Sequence, residues 1–100
     1  MVIGGSGNGE QLAANEVVGI RAALVWSDET AGLARAHNDA QVAAIGARMH
    51  PLDDAIGFVE TFLATRFSDD PRHVRRLEML TAYETKGVLP PLPDADGRDA

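Results

Sequence analysis

MVIGGSGNGEQLAAN, residues 1–15, decides how the chain folds. Residues 1–4 read as the end of a buried strand. Glycines at positions 4, 5, 7 and 9 make residues 4–9 a loop, and residues 11–15 read as a short helix. A strand feeding a glycine loop and then a helix is the opening unit of an α/β fold.

The rest of the chain repeats the alternation. Turn-formers follow around Val18 and Gly19. Residues 21–26, RAALVW, are a continuous apolar run of strand length. Ser27 can cap the next helix, with Thr30 three positions on in place of the usual Glu, and that helix runs to about His37. Residues 41–45 form another apolar strand, ended by Gly46. Pro51 opens a helix through about Thr65, with Ile56, Phe58, Val59, Phe62 and Leu63 at helical spacing. Asp70 and Pro71 supply an N-cap and a first-turn proline for a last helix reaching about Thr85. Residues 87–100 are rich in proline and acid and are expected to be disordered. Near-continuous apolar strands between helices imply a parallel sheet covered on both faces. Ligands bind such sheets at the carboxyl ends of the strands, here the loops 5–9, 27–30 and 46–50.

At 100 residues the chain is one domain at most. A net charge of −6 argues against nucleic acid as a partner. No apolar run reaches the ~20 residues of a membrane span, and no signal peptide is evident, so a cytoplasmic protein with no membrane partner is expected. Without cysteine, proton abstraction falls to a carboxylate or a histidine.

The glycine loop can present bare amides, with the positive end of a helix behind them, to an anion. It is not a P-loop, because Glu10 stands where lysine is required. It is not a dinucleotide fingerprint, because Gly5 and Gly7 would need a glycine at position 10. Glu10 itself reads either as a first-turn acid complementing the helix dipole or as a general base. Arg72 and Arg76, four apart, share one helix face, and Arg72 opposes the helix dipole in the first turn. They form either a phosphate site or a solvated basic face neutralised by Asp69 and Asp70. His37 reads as a solvated helix cap and Arg48 as a surface charge at the ligand-binding edge. His73 and Arg75 default to solvent or interface contacts. Trp26, Phe58, Phe62 and Phe67 read as core or dimer-interface residues.

Taken in series, GGSGNGEQLAAN, GIRAAL, ARAHND, IGARM, FLATRF and RHVRRLEML resemble the ribose-5-phosphate isomerase B family over residues 2–86, most closely its actinobacterial branch. The resemblance implies a Rossmann-like three-layer sandwich, and interconversion of ribose 5-phosphate and ribulose 5-phosphate through an enediol(ate). It makes Glu10 the catalytic base. Ser6 with the loop at Gly5, Gly7, Asn8 and Gly9 would stabilise the developing oxyanion. His37 would open the sugar ring with Asn38 beside it, and Arg48, Arg72 and Arg76 would bind substrate and phosphate. It implies a homodimer with sites built from both chains, and no metal or cofactor. Relative to the family the chain is expected to lack an N-terminal βαβ portion, whose first strand ends in a substrate-contacting Asp-His pair. Residues 1–4 would then be an unpaired edge. The alternatives are an isomerase for a hexose 6-phosphate, and an inactive remnant that only binds phosphosugars or pairs with another subunit.

Overall fold

The structure, a computed structural model, describes residues 1–92. Its elements are β1 (Val2–Gly4), α1 (Asn8–Asn15), β2 (Ala22–Leu24), α2 (Asp28–Ala36), β3 (Val42–Gly46), α3 (Leu52–Ala64) and α4 (Pro71–Lys86). The sheet has the order β1-β3-β2 and both pairings are parallel. The crossover from β1 to β2 passes over the position of β3, and the crossover from β2 to β3 returns. Right-handed crossovers in opposite directions put α1 and α2 on opposite faces. The side chains follow. Ala43 and Ile45 face Ala31, Ala34, Phe58 and Phe62, which form the core with Val25. Ala44, between Ala43 and Ile45, is buried outside that cluster, and Leu24 of β2 reaches Gly7.

Three boundaries differ from the sequence reading. Helix α1 starts at Asn8, not at 11, so Gly9 and Glu10 lie inside its first turn. Gly7 is its N-cap in the left-handed region (φ 86), and the Gln11 N–H bonds the Gly7 carbonyl at 3.0 Å. The turn is therefore complete by Gly7, and the remaining glycine does not delay the helix. Strand β2 covers 22–24 rather than 21–26. Val25 still donates to Ala44 (2.9 Å), but the N–H groups of Trp26 and Ser27 turn to the Thr30 hydroxyl at 3.1 and 3.0 Å. This is the expected Ser27 cap, with Thr30 closing a capping box. Strand β3 sits one residue later, at 42–46, because Gly46 pairs with Gly4.

Asp70 caps α4 as expected, accepting from the Arg72 N–H at 2.9 Å, with Pro71 in the first turn. Phe58 and Phe62 are buried, Phe67 is half-buried, and Trp26 is 60% exposed. Among the described residues β1 has a partner on one side only, and Ile3 faces an apolar groove with Met1, Ile56 and Val59. Residues 87–92 are exposed and form neither helix nor strand. The remainder of the proline-rich stretch, 93–100, lies outside the described residues.

The outer edge of β2 is closed by a side chain. The Asn15 amide accepts from the Ala22 N–H at 2.8 Å and donates to the Ala22 carbonyl at 2.9 Å, as a neighbouring strand would. Asn15→Ala strands the Ala22 N–H, leaves its carbonyl only the longer bond from Gln11 Nε2 (3.4 Å), and is expected to cost about 1–3 kcal/mol. A thermal melt would register a Tm lower by about 5–20 °C; an unchanged Tm would contradict this role.

Candidate functional site

At the carboxyl ends of the strands, β1 and β3 stay paired into their loops. The Ala47 N–H reaches the Gly4 carbonyl at 2.7 Å and the Arg48 N–H reaches the Gly5 carbonyl at 3.1 Å. This lays residues 5–7 directly on Gly46, where an added Cβ would stand 2.5 Å from the Ser6 carbonyl oxygen. Ser6 is exposed, and its hydroxyl accepts from the Asn8 N–H at 3.3 Å. The first-turn N–H groups of a helix lack carbonyl partners, and here that turn holds Asn8, Gly9 and Glu10. The half-buried Glu10 folds back so that its carboxyl occupies the space a Cβ on Gly4 would need. Arg48 places its guanidinium beside Gly5, with Nη1 3.5 Å from a Cβ built there. A cavity of about 210 Å³ adjoins the loop, lined by Ser6, Asn8, Leu24, Trp26, Gly46 and His50 among others.

The second cluster lies at the other end of the sheet. His37 caps the C-terminus of α2, and Asn38 follows it towards the start of β3. Arg35 fixes this turn: Nη1 donates to the Ala40 carbonyl at 2.6 Å, and the guanidinium lies 5.6 Å above the Phe62 ring. Asp39 takes the left-handed conformation (φ 48) that the reversal needs. The Ser68 N–H bonds the Ala36 carbonyl (3.0 Å) and brings the first turn of α4 alongside. The His37 and His73 rings then meet at 4.1 Å between centroids, tilted by 33°. Arg72 lies next to His73, with Nη2 3.5 Å from Nε2, and Arg76 follows one turn on.

One chain thus brings Gly5, Ser6, Gly7, Asn8, Gly9, Glu10 and Arg48 together at one end of the sheet. It brings His37, Asn38 and the Arg72 turn together at the other. The five residues of β3 separate the two groups by about 15 Å. The carboxyl edge of the sheet holds only the first group.

His73 is the residue the sequence reading missed: it is 6% exposed, not a solvent contact. The signal was available in spacing. His73, Leu77, Leu80 and Glu84 recur at helical intervals along α4, and Glu84 bonds Arg21 at 3.3 Å on the body of the fold. Burial, then the His37 ring and the Arg72 charge, lower the His73 pKa below its ordinary 6.5. The backbone N–H of Arg72 lowers that of Asp70. The unfolded chain binds the His73 proton near 6.5 and the folded chain only at lower pH, so stability falls as pH drops through 6.5 towards the folded value. Melts between about pH 7.5 and about pH 5.5 are expected to show a falling Tm that is shallower in His73→Phe. Parallel curves would contradict the assignment.

Among the described residues no group of His, Asp and Glu is placed to hold a metal ion, and no helix is long and apolar enough to cross a membrane. A glycine loop at the carboxyl edge of a parallel sheet, leading into a helix N-terminus, is the place where α/β proteins as a class bind small anionic ligands. The model of the ribose/galactose isomerase family matches residues 1–80, and the chain belongs to that family. It is 54% identical over 97 residues to ribose-5-phosphate isomerase B of Mycolicibacterium paratuberculosis, covering 97% of this chain and 61% of that protein. For the Mycobacterium tuberculosis protein of the same name the identity is 52% over 95 residues, covering 95% and 59%. A mutant type B ribose 5-phosphate isomerase from Trypanosoma cruzi superposes with a TM-score of 0.83 at 42% identity, covering 86% of this chain and 56% of that one. The chain spans about 60% of the length of these curated relatives.

Proposed function

We propose that the protein is an aldose–ketose isomerase that interconverts ribose 5-phosphate and ribulose 5-phosphate. The observation that carries this reading is the Glu10 carboxyl folded back over Gly4, against a loop that presents the exposed Ser6 and the first-turn amides of α1. Glu10 removes the proton from C2 of the open aldose. The electrons form the C1–C2 double bond of an enediol(ate), and the charge passes to the oxygen on C1. Ser6 and the amides of Gly5, Gly7, Asn8 and Gly9 hold that oxygen without reorganising. Glu10 then returns the proton to C1 while O1 gains and O2 loses a proton, giving the ketose. His37, with Asn38, assists ring opening. Arg48, Arg72 and Arg76 bind the substrate and its phosphate.

The separation of the two clusters supports a homodimer. A two-fold axis can set the Glu10 end of one chain against the His37 end of its partner, and each dimer then holds two equivalent sites. The reaction requires neither metal nor cofactor.

A second reading has an observation of its own. The chain spans about 60% of its relatives, and if contacts to the sugar lie in the part outside the match, the chain alone is a phosphosugar-binding or subunit-pairing module. The family description, which covers galactose as well as ribose, keeps a hexose 6-phosphate as an alternative substrate. The test is turnover of ribose 5-phosphate by the chain alone and by the chain supplied in trans with the residues its relatives carry outside the match. Ketose formation in either supports the isomerase. Binding without turnover in both supports the module, and turnover of a hexose 6-phosphate alone moves the substrate assignment.

A further inference from the structure

The geometry points to His73 as a positioning residue that seats His37 with its ring face and tethers Arg72 with its Nε2, coupling the two groups the proposed isomerase reading places on sugar and phosphate. The hydrogen-bond inventory fixes its role. A guanidinium carries donors only, so Nε2 must be the nitrogen without a proton to accept from Arg72 Nη2 at 3.5 Å. The proton then sits on Nδ1 and is donated to the Ser68 hydroxyl oxygen at 2.8 Å. That oxygen also accepts the Asp70 N–H at 3.1 Å, and its two lone pairs serve both donors. Ser68 is held in turn by its own N–H on the Ala36 carbonyl, one residue before His37. In that tautomer a run of contacts joins the end of α2 to the Arg72 side chain, and Nε2 keeps its lone pair for the guanidinium.

An exposed arginine on its own samples many rotamers. Tethered at Nη2 by His73 Nε2, with Asp70 Oδ2 3.9 Å from the same Nη2, the guanidinium keeps Nη1 and Nε to meet a phosphate. The His37 ring, exposed on its outer side, gains a rigid backing at 4.1 Å.

Two substitutions separate the functions. In His73→Gln the side-chain oxygen replaces Nε2 as acceptor for Arg72, but the ring against His37 is lost. In His73→Phe the ring remains and the acceptor is lost. Inorganic phosphate and ribose 5-phosphate are titrated into the full chain and into each variant, with His37 ring protons followed by NMR. The Phe variant is expected to bind phosphate about ten-fold more weakly while His37 keeps its ring-current shift. The Gln variant is expected to stay within about two-fold for phosphate while that shift collapses. Nitrogen shifts of the unsubstituted chain should show the proton on Nδ1. A proton on Nε2, a Phe variant that binds like the parent, a parent that does not bind phosphate, or both variants losing both signals would overturn the assignment. Ribose 5-phosphate that binds in this pattern but is not converted would sink the isomerase reading and leave the role of His73 standing.

Discussion

Glu10→Gln is expected to lower kcat for ribose 5-phosphate by about 10³-fold with KM little changed. The amide has nearly the shape of the carboxylate and keeps the helix start intact, so binding contacts survive while the proton acceptor is lost. Steady-state kinetics with a pentose phosphate binding assay separates the two effects. Turnover within ten-fold of the parent would remove Glu10 from the base position. Gly4→Ala is a companion test. Its new methyl would fall on the Glu10 carboxyl, and the flexible end of that side chain would swing aside. Rate should fall with little change in Tm, because the backbone around Gly4 need not move.

Gly46→Ala attacks the same loop from beneath. Its Cβ would stand 2.5 Å from the Ser6 carbonyl oxygen and 2.7 Å from the carbonyl carbon, and both are backbone. No rotamer relieves that contact, so the 5–7 segment must lift off β3. Overpacking of this kind costs about 1–3 kcal/mol, a loss of about 5–20 °C in Tm for a domain of this size. The lifted loop also misplaces Ser6 and the amides, and a displacement near 1 Å costs about 10²-fold in rate. Both effects are expected together. A variant with the parent's Tm and rate would show that the loop does not rest on Gly46.

What the sequence made legible was local chemistry. The Ser27–Thr30 box and the Asp70–Pro71 start each lie within one turn, and both form with the expected partners. The start of α1 was not legible, because a run of glycines does not say which one takes positive φ; Gly7 does, and the helix begins at once. Spacing along α4 marked the face that carries His73 but not its partners, which come from α2 and from the turn before α4 and meet it only through packing. The separation of the two candidate groups follows from strand direction. Helix α2 runs back along the parallel sheet, so a residue at its C-terminus cannot share an edge with the glycine loop. The resemblance implied sites built from two chains, and the placement of His37 and Arg72 gives that implication a physical reason.

Mixing two inactive versions of the protein tests this most directly. One carries Glu10→Gln, and the other carries His37→Ala with Arg72→Ala. In a mixed dimer one site collects every lesion and the other is wholly native. Random exchange should therefore restore about a quarter of the parent activity. Mixed dimers that form, as native mass spectrometry would register, yet convert no ribose 5-phosphate would contradict a site shared across the two-fold axis.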